Sequence, residues 1–302
     1  MPEFRFFGLP GETDGVRMGE YLSFLAELNN AVISDDRIRL FEGAGSFAVL
    51  RGGDFKTSII EGDINISGGP ITAINTFFEG DPIFTATGLN LQTPTFFNLI
   101  ANGDEDAFVT FLLKGNDRVF GSDRADQLFG LDGRDTIFGQ GGEDQIIGGT
   151  GADRLSGGGA RDALIGQEGS DAIFGGKGND YLVGAQGADT LSGGAGQDQF
   201  VFFAPLGAGE VETITDFQTG IDQINLDPTV FAAAGPVGDL AASAFRRGAA
   251  ATDADDRIIY NPANGKLYLD VNGDAAGGRT LFAVLDPGLN LKAGDFIIGG
   301  IE

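Results

Sequence analysis

Residues 113–202 divide into ten consecutive nine-residue units with no insertion: LKGNDRVFG, SDRADQLFG, LDGRDTIFG, QGGEDQIIG, GTGADRLSG, GGARDALIG, QEGSDAIFG, GKGNDYLVG, AQGADTLSG and GAGQDQFVF. One aspartate recurs at the fifth place of every unit: Asp117, Asp126, Asp135, Asp144, Asp153, Asp162, Asp171, Asp180, Asp189 and Asp198. Two residues later stands an apolar residue, from Val119 and Leu128 through to Leu191 and Phe200. Two residues before it stands Gly115, Gly133, Gly142, Gly151, Gly169, Gly178, Gly187 or Gly196, with Arg124 and Ala160 as the exceptions. A flexible Gly/Asp-rich linker would not hold an apolar side chain at fixed phase through ten units.

Each place has a physical task. Glycine allows positive φ and lets backbone carbonyls converge. Aspartate supplies a short anionic oxygen donor. The apolar residue sits on a short extended segment and points inward. One unit is therefore a turn plus a strand, and two units make one coil of a flattened parallel helix. The aspartates fall into two stacks, Asp117, Asp135, Asp153, Asp171 and Asp189 on one side, Asp126, Asp144, Asp162, Asp180 and Asp198 on the other. Five coils at ~4.8 Å give a column about 24 Å tall. Unscreened rows of carboxylates repel one another. Oxygen donors of this kind suit Ca2+, and we expect about five to eight ions bridging neighbouring coils.

Composition narrows the chemistry further. The 302 residues include 44 acidic and 19 basic side chains, for a net charge of -25, and no Cys, His or Trp. Without His or Cys there is no Ser-His-Asp triad, thiolate nucleophile, disulfide or His/Cys zinc site. The charge argues against a nucleic acid partner. No run approaches the length of a transmembrane helix. The N-terminus lacks the basic, apolar and small-residue segments of a secretory leader.

The nonapeptides closely resemble G-G-x-G-x-D-x-U-x, the repeat of the RTX (repeat-in-toxin) calcium-binding exoproteins. That resemblance implies a parallel β-roll with Ca2+ in its turns. Departures are local: Leu112 and Leu113 replace the leading Gly pair of the first unit, Ser122 and Arg124 replace two Gly of the second, and Ala160 replaces one in the sixth. Sites using those units are expected to be weakened or distorted. Residues 203–302 resemble the C-terminal block of RTX exoproteins, serralysin-type proteases included. The resemblance rests on Thr213-Ile-Thr-Asp-Phe217, Asp255-Asp-Arg-Ile-Ile-Tyr-Asn-Pro262, Lys266-Leu-Tyr-Leu-Asp270 and Ala293-Gly-Asp-Phe-Ile-Ile298. It implies an uncleaved C-terminal signal for type I secretion machinery.

The expected fold class is mainly all-β, in three parts. Residues 1–112 form a β-rich N-terminal region with short helices that caps the roll. Residues 113–202 form the roll, and 203–302 a β-rich C-terminal cap. The N-terminal part is expected to hold a helix over 16–28, strands at 37–42, 47–51, 55–60, 64–67, 71–78 and 83–87, and helical turns near 95–100 and 105–113. In the C-terminal part we expect strands at 212–217, 220–226, 257–260, 266–269 and 279–285, with a hairpin through Asn261–Gly265. Asp270, Asn272 and Asp274 share the first spacings of an EF-hand loop, but Ala275 and Leu281 stand where its Gly and Glu belong, and a plain acidic turn is expected.

The function expected is a secreted, non-enzymatic calcium-binding protein of a cell-surface layer, biofilm matrix or adhesive assembly. Its partners would be Ca2+, the secretion machinery, and a second copy or a cell-surface polysaccharide. No catalytic residue is assigned. The alternatives are a carboxylate-based polysaccharide-active enzyme and a pore-forming or host-interacting exoprotein.

Overall fold

A computed structural model describes residues 115–299 apart from positions 122, 208 and 276, and, before them, the strands of residues 3–91 as backbone. The helices expected at 16–28, 95–100 and 105–113 lie outside the described residues. The chain forms two compact units, residues 1–142 and 143–302. Strands dominate, with only three 3-10 turns among the described residues, and the repeats wind into a parallel β-solenoid of about five turns.

The first unit holds β1 (Glu3–Phe6), β2 (Asn30–Ser34), β3 (Arg37–Phe41), β4 (Phe47–Gly52), β5 (Lys56–Ile60), β6 (Asp63–Ser67), β7 (Ile71–Phe78) and β8 (Asp81–Leu91). The first repeat strands follow: β9 (Arg118–Phe120), β10 (Gln127–Asp132) and β11 (Thr136–Gly141). All six strands expected in this region are present, and β1 and β2 are additional. Strands β2, β3, β4, β7, β8 and β1 pair antiparallel in that order, while β5 and β6 make a separate hairpin. Strand β1 then lies parallel to β9, Phe4 opposite Val119, and β9 pairs with β11. The edge of the first repeat strand is thus covered by the first strand of the chain, which removes a row of open backbone donors and acceptors.

The second unit continues with β12 (Gln145–Thr150), β13 (Arg154–Gly159), β14 (Ala163–Glu168), β15 (Ala172–Lys177), β16 (Tyr181–Gln186), β17 (Thr190–Ala195) and β18 (Gln199–Phe202). Register advances by 18 residues per coil. Leu155 lies beside Ile173 and Ile173 beside Leu191 on one sheet. Ile146, Leu164, Leu182 and Phe200 follow one another on the other. Each of these side chains is fully buried, so the apolar phase read from sequence is the core. The next inward place on each repeat strand is a glycine, except on β18, where it is Phe202.

The C-terminal cap continues both sheets instead of closing them with a separate layer. It contains β19 (Glu212–Ile214), β20 (Gln223–Leu226), β21 (Gly238–Asp239), β22 (Phe245–Arg247), β23 (Ile258–Asn261), β24 (Lys266–Asp270), β25 (Arg279–Val284) and β26 (Phe296–Ile298). Strand β19 pairs parallel with β17, and β25 with β19. Strand β20 pairs parallel with β18, and β26 with β20. The expected hairpin is present, β23 against β24 with Asn261 opposite Lys266. Phe282 packs edge-on against Phe202 and Phe231, at 5.3 and 5.1 Å between centroids, and closes the core at this end. The strands expected at 212–217 and 220–226 are shorter, Glu212–Ile214 and Gln223–Leu226, and between them the backbone N–H of Gln218 donates to Oδ2 of Asp222 at 2.7 Å. Strands β21, β22 and β26 had no counterpart among the expected strands.

Candidate metal rows

All ten repeat aspartates are buried, none more than 3% exposed. Their carboxylates link successive coils. The backbone N–H of Asp117 donates to Oδ1 of Asp135 at 2.7 Å. In the second unit the same bond joins Asp144 to Asp162, Asp153 to Asp171, Asp162 to Asp180, Asp171 to Asp189 and Asp180 to Asp198, at 2.7–2.9 Å. One oxygen of each accepting carboxylate is therefore used by the fold. The other oxygen is not: Oδ2 of Asp162, Asp171, Asp180, Asp189 and Asp198 is buried with no hydrogen-bond partner. A carboxylate oxygen removed from water and left unpaired is costly.

Burial is the main cause of the charge state. It pushes the carboxyls of Asp117 and Asp162 up to about 7, and those of Asp171 and Asp180 up to about 6. The N–H of the preceding coil's aspartate pulls the last three back down, and for Asp162 and Asp180 the next carboxylate in the row adds to the rise. Ordinary aspartate would be fully ionised at pH 7. Without a counter-charge these rows favour protons.

The glycines explain how the carboxylates fit. Gly115, Gly133, Gly142, Gly151, Gly169, Gly178, Gly187 and Gly196 all have φ between +98° and +147°. At Gly169 and Gly187 an added Cβ would run into the carbonyl oxygen of the glycine one coil earlier, Gly151 and Gly169 respectively. Ala160 takes the same left-handed turn at φ +75°. Asp162 nonetheless keeps its place in the row, bonded on both sides.

A second glycine set was not singled out from the sequence. Gly148, Gly157, Gly166, Gly175, Gly184 and Gly193 stand five residues before an aspartate, on the inward side of the strand. A Cβ at any of them would meet that aspartate's Oδ2, at 2.6 Å for Gly148 and Asp153. The signal was available, since nine of the ten units end in glycine.

Both rows also run one coil further than the nonapeptides. Glu212 follows Asp189, accepting its N–H at 3.1 Å, and Asp222 follows Asp198 at 3.2 Å. Glu212 and Asp222 are both buried. Burial raises the Glu212 carboxyl well above the usual range, and Asp189 beside it adds to the rise. Nearby, Glu210 accepts the N–H of Gly187 at 2.8 Å. The sequence hid this extension because the step is 23 and 24 residues there instead of 18. Among the described residues no three carboxylates converge on one point. A cation held between coils would need further oxygens beside the carboxylates, and main-chain carbonyls of the glycine turns could supply them. Within the EF-hand-like spacing, Asp270 Oδ1 accepts the N–H of Asn272 at 3.2 Å.

Comparison with known families places this geometry. The model of the RTX calcium-binding nonapeptide repeat matches residues 114–146, 138–173 and 165–200. Residues 114–200 are RTX repeats. RTX repeats bind calcium, and the repeated aspartates of this segment lie in its stacked turns. A search of curated proteins found no match. Among solved structures, the R3 subunit of the mannuronan C5-epimerase AlgE6 of Azotobacter vinelandii is similar at 22% identity. The match covers 61% of this chain and 78% of that one, with a TM-score of 0.26. The extracellular lipase LipA of Serratia marcescens is similar at 14% identity, over 62% and 40% of the two chains, with a TM-score of 0.26. At these scores neither likeness says what this chain does. Among the described residues no helix is long and apolar enough to cross a membrane.

Proposed function

We propose that this is a secreted, non-enzymatic calcium-binding protein that folds on extracellular Ca2+ and serves in a surface layer, matrix or adhesive assembly. The observation that carries the calcium step is the row of buried, unpartnered Oδ2 atoms. The ten repeat aspartates would hold about five to eight ions, completed by carbonyls of the turns at Gly115, Gly133, Gly142, Gly151, Gly169, Gly178, Gly187 and Gly196. The pairs Asp189–Glu212 and Asp198–Asp222 are further candidates. A bound ion would supply the charge neutralisation that the rows lack. The chain supplies the spacing, the exclusion of water and one hydrogen bond to each carboxylate.

RTX repeat proteins are typically extracellular, where calcium is abundant. A chain unfolded at cytosolic calcium suits export through a type I channel, and calcium outside would then fold what emerges. With no cysteine, metal takes the stabilising role that disulfides play elsewhere. At a hundred times its dissociation constant each site adds about 2.7 kcal/mol. The test is circular dichroism with chelator and then calcium, followed by imaging of the calcium-loaded protein for ordered assemblies. β-Content unchanged by chelation would sink the calcium step. A chain that stays monomeric at high calcium and never associates with cells would sink the structural role. Export is tested by comparing the full chain with one ending at Asp239, and equal amounts outside would rule out a C-terminal signal.

A further inference from the structure

The outer face of one solenoid sheet carries a groove of about 810 Å3 that begins beside Asp144 and Asp162 of one carboxylate row and extends away from them over the sheet. Its floor is formed by side chains that point away from the core on successive strands. Gln145 stands on β12, Tyr181 on β16, Gln199 on β18, Asn225 on β20 and Ile297 on β26. With β14, which contributes Ala163 and Ile165, these strands make six in a row across one sheet, so the groove runs along the solenoid axis for about 24 Å. Val237, 70% exposed, forms part of a wall with Gly238.

Two polar atoms in this groove lack partners. Asn225 is 7% exposed, and its Oδ1 has no hydrogen-bond partner. The Tyr181 hydroxyl is buried and likewise unpartnered. The groove is within the size range of small-molecule sites and mixes apolar floor with a few polar groups. Beyond the charged Glu143, Asp144, Arg161 and Asp162, its polar groups are three amides and a phenol, which both donate and accept. A ligand hydroxyl has the same dual character, so one kind of group can satisfy both orphan atoms. The backbone of these strands is already paired within the sheet. A peptide therefore finds no open strand edge to extend. Three acidic residues, Glu143, Asp144 and Asp162, line the groove against a single cation, Arg161. That balance, on a chain of net charge -25, disfavours an anionic glycan.

We propose that this face of the solenoid is a binding groove for a neutral, linear oligosaccharide, with Tyr181 and Asn225 as its central hydrogen-bonding residues. The apolar floor at Ile297 and the ring of Tyr181 would take the sugar's C–H faces, and the amides its hydroxyls.

The experiment is an NMR titration of the calcium-loaded full chain with neutral gluco-, manno- and galacto-hexasaccharides, a polygalacturonate oligomer and an unrelated extended peptide. We expect at least one neutral probe to shift the side-chain amides of Gln199 and Asn225. Tyr181→Phe, which removes only the hydroxyl, should weaken that probe about fivefold to tenfold. Asn225→Ala should weaken it at least as much. If either variant loses its calcium-dependent fold, the shifts on the unaltered chain still locate the site. No shift with any neutral probe overturns the proposal. So does shift confined to other residues, unchanged affinity in both folded variants, or equal or tighter binding of the uronate or the peptide.

Discussion

Gly169→Ala tests the claim that coil spacing is set by glycine carbonyls. Gly169 has φ +147°, and a Cβ there would collide with the carbonyl oxygen of Gly151 in the coil before. The obstacle is backbone, so no rotamer change relieves it. A non-glycine residue in that backbone region costs about 1–3 kcal/mol. Forcing a methyl into packed structure costs about 1–3 kcal/mol more. Alanine restricts the unfolded chain, which returns about 0.4–1 kcal/mol. The net loss is then about 1–6 kcal/mol. Gly207→Ala is the control, because a Cβ at Gly207 meets nothing within 4 Å. The assay is denaturant unfolding of both variants at saturating calcium. If Gly169→Ala costs no more than Gly207→Ala, the stacking of turn on turn is wrong.

Three further outcomes follow from the rows. Asp171→Ala should raise the calcium midpoint of folding more than Asp117→Ala, since Asp171 bonds to Asp153 and Asp189 on its two sides; equal losses in calcium titration would refute the ordering. Glu212→Gln keeps the shape but removes the charge, so it should lower the calcium stoichiometry by about one, with little change in the metal-free spectrum. In chelator, the solenoid should lose stability as pH rises. Asp162 and Asp171 are raised from 3.8 to about 7 and about 6 in the folded state, so their favourable contribution is complete below pH 3.8 and disappears as pH climbs through 6 and 7. Thermal melts in chelator across that range, with calcium restoring stability at pH 7, are the check.

How much of this was legible in the sequence depends on where the determining contacts lie. The core of the solenoid was legible because inward residues such as Leu164 and Leu182 repeat at a fixed step, and the turn glycines because their φ is a local matter. Strands of the first unit such as Ile71–Phe78 were legible through β-branched and aromatic runs bounded by Gly and Pro. Glu212 and Asp222 were not, because their place in the rows is set by a loop whose length breaks the period. Nor was the strand Phe296–Ile298, which pairs with residues some seventy positions earlier. Leu131, Gln140, Gln167 and Ala185 adopt positive φ where other units have glycine. The sequence showed only that glycine was missing there, not that the turn would persist under strain.

The 18-residue register makes length a quantised property of this protein. Each repeat coil offers the next a strand edge, an inward apolar side chain and a carboxylate at the same places. A whole coil could be gained or lost without altering the strands β19 and β20 that receive the last one, and the column would change by about 4.8 Å. A change of nine residues would behave differently. It would exchange the two sheets at every later position, delivering β19 to the sheet built for β20 and breaking the pairing of the cap. Duplication or deletion in this gene should therefore be tolerated in even numbers of nonapeptides and rejected in odd ones.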